Sequence, residues 1–155
     1  MILAVDVGNS NTTVGLFNGT GELLFRALLE TSRSKTRDQC AIELLGVFQL
    51  YGADACTVDG AILSSVVPPL TTIFTDAIAR LTGIPPMVVG PGIRTGLNIK
   101  AEIHNQLGSD IVASSVAAIA KYPSPIVMVD MGTATSLSLI VGSVYEGCII
   151  MPGLA

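Results

Sequence analysis

The sequence predicts an α/β fold built from two copies of a mixed sheet, each opening with a β-hairpin that carries a phosphate-type bend. Three observations support this. First, an apolar run followed by Asp, one further residue, Gly and a hydroxyl-rich bend occurs near the start of the chain and again from residue 126. Second, each copy continues with a second apolar segment, a glycine-containing turn and a third segment. Third, helix-length and strand-length apolar patterns alternate between the copies, as expected when later strands arrive by crossovers.

In the first copy, Ile2-Leu3-Ala4-Val5 reads as a strand and Asp6-Val7-Gly8-Asn9-Ser10-Asn11-Thr12-Thr13 as the bend. Residues 14–17 resume the strand, Asn18-Gly19 turns the chain, and residues 23–29 complete a meander. Such a bend can aim backbone N–H groups and short side chains at phosphate oxygens, with a strand-end carboxylate to hold a cation. Alone, the cluster is ordinary turn chemistry. Its recurrence gives it weight. In the second copy, Ile126-Val127-Met128-Val129 leads into Asp130-Met131-Gly132-Thr133-Ala134-Thr135-Ser136, followed by segments at 137–141 and 147–151 around a turn at 142–145. Two facing copies would set Asp6, Asp130 and two hydroxyl loops around one cleft, which suits a nucleotide–metal site better than a core.

Between the copies, Arg33-Ser34-Lys35-Thr36-Arg37 reads as a polar loop. Residues 38–51 form an amphipathic helix with Ile42, Leu45 and Phe48 on one face and Leu44 beside it, stopped at Gly52. A short strand at 60–63 runs into Ser64-Ser65-Val66-Val67-Pro68-Pro69, whose prolines break the strand and can begin a helix. That helix covers 70–81 and closes at Gly83; residues 87–89 form the next strand. Residues 90–107 show no helix or strand period, so this long loop is expected to be functional. The single histidine, His104, lies in it and reads as a surface residue. Gly108-Ser109-Asp110 opens a helix to Tyr122, with Ser109 or Asp110 as its cap. The expected domains are 1–107 and 108–155.

Composition narrows the function. Of the 155 residues, 50% are hydrophobic and only 13% charged, about half the charged share of an average domain. So apolar a surface is expected to be covered by another subunit or by further chain. A net charge of −4 and the lack of any basic run argue against nucleic acid. No signal peptide or membrane span is expected, because Asp6 interrupts the first apolar run and no run reaches roughly 18 residues. Cys40, Cys56 and Cys148, without paired spacing, fit a reducing cytoplasmic compartment. A P-loop enzyme is excluded, because no Walker lysine follows either bend.

Asp6-Val7-Gly8-Asn9-Ser10-Asn11-Thr12 resembles the first phosphate motif of type III pantothenate kinases, in the actin-like, acetate-and-sugar-kinase superfamily, and Asp130-Met131-Gly132-Thr133-Ala134-Thr135 resembles their second. Ser64-Ser65-Val66-Val67-Pro68-Pro69-Leu70, Gly90-Pro91-Gly92-Ile93-Arg94-Thr95-Gly96-Leu97 and Gly147-Cys148-Ile149-Ile150-Met151-Pro152-Gly153-Leu154 are similar to further family segments in the same order. The resemblance runs the length of the chain. It implies duplicated actin-like ATPase (ribonuclease H-like) domains, the second incomplete here because family members continue past the Pro-Gly-Leu turn.

The same likeness implies a cytoplasmic homodimer that makes 4′-phosphopantothenate from pantothenate and ATP. It also implies a divalent metal such as Mg2+ and a monovalent cation, K+ or NH4+. Asp6 would be the metal-side carboxylate, with Gly8, Asn9, Ser10, Asn11, Thr12 and Thr13 around the phosphates. Asp130 would match the monovalent-cation ligand, and Gly132 and Thr133 nucleotide contacts. Asp110 would match the general base, with Gly108, Ser109, Asp110 and Ile111 on the substrate side. The family pattern has arginine where Ile111 stands and tyrosine where Ala101 stands. A second reading follows from those departures: a nucleotide-binding homologue with a regulatory or scaffold role, or a kinase for another small alcohol.

Overall fold

A computed structural model describes residues 1–90, 93–99 and 107–153. His104 and Ala101 lie outside the described residues. The chain divides into two compact units, Met1–Val89 and Gly90–Ala155.

The first unit is a five-stranded sheet with two helices. Strands β1 (Ile2–Val7), β2 (Asn11–Phe17) and β3 (Leu23–Glu30) form an antiparallel meander. Helix α1 (Arg37–Leu50) then leads to β4 (Gly60–Ser65), and helix α2 (Pro68–Thr82) to β5 (Met87–Val88). Both β4 and β5 join in parallel, giving the order β3-β2-β1-β4-β5. Alternation along β1 divides its side chains: Leu3, Val5 and Val7 are buried, whereas Ile2 and Asp6 are exposed. The buried set packs with Cys40, Leu44 and Phe48 of α1 and Leu70, Phe74 and Ile78 of α2. Both helices therefore cover one face, and Asp6 stands on the other.

Local chemistry sets the helix ends. Thr36 caps α1 in a capping box: its hydroxyl accepts from Gln39 N, and the Gln39 amide oxygen accepts from Thr36 N. Pro68 and Pro69 occupy the first turn of α2, where a missing N–H has no helical partner to lose. Gly83 ends α2 at φ 76°, a left-handed position that favours glycine.

The expected face of α1 is corrected. Ile42 is 68% exposed and Leu45 is also exposed, while Cys40, Leu44, Val47 and Phe48 are buried. Apolar residues lie around most of this helix, so periodicity did not single out the packed side. The sheet made that choice, with Phe48 meeting Phe25 of β3 edge-on at 5.7 Å.

The second unit holds β6 (Asn98–Ile99), α3 (Ser109–Lys121), β7 (Ile126–Met131), β8 (Ala134–Val141) and β9 (Val144–Pro152). Their order is β6-β9-β8-β7, with β6 parallel to β9 and the other pairs antiparallel. Strand β6 falls in the stretch that showed no strand period. Two residues are too short to display one. The expected first domain ran to residue 107, whereas the first compact unit ends at Val89 and β6 pairs within the second.

Ile126, Ile140 and Tyr145 are buried here, packed by Ile111, Ala118 and Ile119 of α3. On the opposite face of this sheet, Val127, Val129, Met131, Leu139, Ile149 and Met151 are exposed. Part of that face is an apolar groove of about 340 Å³.

Candidate functional site

The first bend is tighter than the sequence indicates. Strand β1 runs on to Val7 and β2 begins at Asn11, so Asp6 lies inside a strand and only Gly8, Asn9 and Ser10 connect the two. Asn11, Thr12 and Thr13, expected in the bend, belong to β2. Their turn propensity yields to a ladder in which Val7 pairs with Thr12 and Asp6 with Thr13. The Gly8 N–H donates to the Asn11 carbonyl at 3.0 Å. A Cβ at Gly8 would lie 2.9 Å from that same oxygen, so close approach demands glycine here.

Around this bend, Asp6, Asn9, Ser10 and Asn11 are exposed and Thr13 half-buried. Asp6 is flanked by Thr13 of β2 and Ser64 of β4 in register, giving a carboxylate between two hydroxyl side chains. Oxygen donors of this kind suit a hard cation. Thr12 differs: it is buried, and its hydroxyl lies 2.8 Å from that of Thr31. The Thr31 N–H also donates to the Ser10 carbonyl at 3.0 Å. The segment after β3 is thereby fastened to the bend, a connection with no signature in sequence spacing.

The second bend repeats the plan with one residue fewer. Strand β7 ends at Met131 and β8 starts at Ala134, leaving Gly132 and Thr133 as the connection. The Gly132 N–H donates to the Ala134 carbonyl at 3.0 Å. Asp130 is exposed and pairs across the hairpin with Ser136. In both hairpins, then, the carboxylate is the next-to-last residue of the first strand and faces a hydroxyl residue. Gly153 closes against this bend, where a Cβ would meet the Gly132 and Thr133 carbonyl oxygens at 2.5 Å.

Asp130 shares its sheet face with Ser138, Ile140 and Tyr145, the face that α3 covers. Gly108 is the N-cap of α3, without a side-chain cap bond, so neither Ser109 nor Asp110 holds the expected cap position. Asp110 sits in the first turn and its Oδ1 accepts from the Ile111 N–H at 2.8 Å. Ile111 packs against the Ile126–Ile140–Tyr145 cluster. Tyr145 is fully buried and its hydroxyl lies 2.8 Å from Ser138 Oγ. Burial pushes this phenol up to about 12; the Ser138 bond opposes the shift, while Cys148 and the Asp110 charge add to it. Asp110 is thus within electrostatic reach of the buried Tyr145–Ser138 pair, which sequence reasoning had not singled out.

No three His, Cys, Asp or Glu side chains converge as a metal cage among the described residues. A cation here would take one carboxylate with hydroxyl, water or phosphate oxygens, the usual arrangement for Mg2+ beside a nucleotide. No described helix is long and apolar enough to cross a membrane.

Comparison with known proteins gives a consistent picture. The family model for type III pantothenate kinase matches residues 2–155. Type III pantothenate kinases from Listeria monocytogenes serotype 4a and Halalkalibacterium halodurans are each 40% identical over 99% of this chain, and one from Geobacillus sp. is 41% identical. The chain spans about 60% of the length of these relatives. Among solved structures, a protein from Sinorhizobium meliloti assigned as a 2-dehydro-3-deoxygalactonokinase matches 97% of this chain with a TM-score of 0.57 at 14% identity, covering 53% of that protein. The ethanolamine utilization protein EutJ from Carboxydothermus hydrogenoformans matches 97% of this chain and 51% of its own, with a TM-score of 0.52 at 14% identity. The expected fold, two mixed-sheet units of the actin-like ATPase class, is the one found.

Proposed function

The chain belongs to the type III pantothenate kinase family, and from that premise we propose that the full-length protein transfers the terminal phosphoryl group of ATP to pantothenate, giving 4′-phosphopantothenate and ADP. The observation that carries this reading is the doubled hairpin, with Asp6 opposite Thr13 and Asp130 opposite Ser136, in a chain matched by the family model over residues 2–155. Relatives at 40% identity favour this activity over the regulatory or alternative-alcohol reading.

Phosphoryl transfer calls for positioning and charge stabilisation more than covalent chemistry. Asn9, Ser10 and Asn11 offer short polar side chains to the phosphates, with Gly8 allowing the close turn beside them, and Thr133 next to Gly132 offers a nucleotide contact. Asp6 would hold a divalent metal and Asp130 a monovalent cation. A bound Mg2+ supplies charge neutralisation at the phosphate oxygens. Asp110 accepts the proton of the pantothenate hydroxyl as its oxygen bonds to phosphorus and the bond to the ADP oxygen breaks. Gly108, Ser109 and Ile111 line the substrate side of that carboxylate.

The working unit is read as a cytoplasmic homodimer. The free thiols of Cys40, Cys56 and Cys148 support a reducing compartment, and the exposed apolar face of the second sheet is one that another subunit or further chain would cover. Pantothenate-dependent ADP release by the full-length protein tests the activity. Turnover with ATP, Mg2+ and K+ is expected, and ATP binding without any pantothenate-dependent turnover would refute it.

A further inference from the structure

We propose that Arg33 is a phosphate-binding residue of the first bend, contacting the nucleotide's phosphate tail where other nucleotide sites use a P-loop lysine. The inference rests on the nucleotide reading of that bend. The loop after β3 and the first residue of α1 carry three basic side chains, Arg33, Lys35 and Arg37. Two are committed elsewhere. Lys35 Nζ lies 2.9 Å from Glu43 and donates to the Glu30 carbonyl at 2.6 Å. Arg37 Nε lies 3.3 Å from Asp38. Arg33 is exposed and enters no ion pair among the described residues. Its Nη2 instead donates to Asn9 Oδ1 at 3.4 Å, which brings the guanidinium to the middle of the Gly8–Asn9–Ser10 connection.

The loop is also fixed in position. At one end, the Thr31 N–H is bonded to the Ser10 carbonyl and the Thr31 hydroxyl to that of Thr12. At the other, Lys35 ties the chain to β3 and α1, and Thr36 begins the capping box. Arg33 therefore projects from a short segment anchored on both sides, so little ordering is needed for it to meet an anion. The Asn9 bond is long and uses one guanidinium nitrogen, leaving donors of a rigid fork for phosphate oxygens. On a chain of net charge −4, an uncommitted cation beside the bend also offsets the repulsion a polyphosphate would meet.

The test compares ATP with adenosine. Isothermal titration of both ligands into the full-length protein is run for wild type, Arg33→Ala and Arg33→Lys. Arg33→Ala is expected to weaken ATP roughly tenfold, the scale of one exposed charge-assisted hydrogen bond, and to leave adenosine affinity unchanged. Arg33→Lys recovers part of the loss, and the difference between wild type and Arg33→Ala shrinks as salt rises. Equal ATP affinity in wild type and Arg33→Ala overturns the assignment, as does an equal loss for ATP and adenosine, which would make Arg33 a brace for the loop. A wild-type protein that binds no ATP fails at the earlier step, and the nucleotide reading falls with it.

Discussion

Asp130 lies directly across the second hairpin from Ser136, as Asp6 lies across the first from Thr13. The correspondence holds although the first connection has three residues and the second has two. What is repeated is the station of the carboxylate on the strand, one residue before its end. In the first unit that station is on the face away from α1 and α2; in the second it is on the face covered by α3. The duplicated hairpins thus occupy different helical surroundings.

The glycines of the two bends are expected to differ in tolerance. Gly8→Ala sets a Cβ 2.9 Å from a backbone carbonyl that cannot swing aside. It should cost about 1–3 kcal/mol of stability and weaken ATP binding. Gly132→Ala meets nothing nearer than 3.6 Å and should change stability by less than about 0.5 kcal/mol. Urea denaturation of the two variants checks the contrast; equal losses would contradict it.

Asp110→Asn separates chemistry from folding. The amide oxygen can still accept from the Ile111 N–H, so the first turn of α3 is retained. Turnover should fall by roughly two to four powers of ten, the range for general acid–base catalysis, with ATP affinity unchanged. Steady-state kinetics beside calorimetry reads both. Unaltered turnover would leave Asp110 as a group that merely satisfies a helix N–H.

Tyr145 gives the protein an alkaline limit. Its phenol is raised from 10 to about 12 in the folded chain, chiefly by burial. The unfolded tyrosine loses its proton first, so this contribution is intact below pH 10 and disappears as pH rises from 10 toward 12. Denaturation midpoints across that window should fall more steeply for wild type than for Tyr145→Phe. Parallel slopes would contradict the assignment.

Ser115 of α3 is fully buried and its hydroxyl has no hydrogen-bond partner among the described residues. Ser115→Ala removes that group and should stabilise the protein by about 1 kcal/mol. Thermal melting would show the gain as a rise of roughly 2–4 °C; a fall would reveal a partner for the hydroxyl.

Much of this fold was legible because its signals are local. The meanders show as alternating apolar runs, the start of α2 as Pro68-Pro69, and the duplication as Asp, one residue, Gly and hydroxyls. What escaped was set by tertiary pairing. Ile42 and Leu45 are as apolar as Leu44 and Phe48, and only the sheet distinguishes them. Asn11 and Thr12 read as turn residues until β1 is present to pair with them. The approach of Arg33 to Asn9 spans 24 residues, and the Tyr145–Ser138 bond depends on the register of β8 and β9. Neither has a spacing that sequence alone would single out.

The most direct test of the proposed nucleotide role of Asp6 and Asp130 is ATP binding by the full-length protein in Mg2+ and K+, compared among wild type, Asp6→Asn and Asp130→Asn. Each substitution, one per hairpin, should weaken ATP on its own, with circular dichroism showing that the variant is folded. Wild-type affinity in either variant would contradict the nucleotide role proposed for the carboxylate of that hairpin.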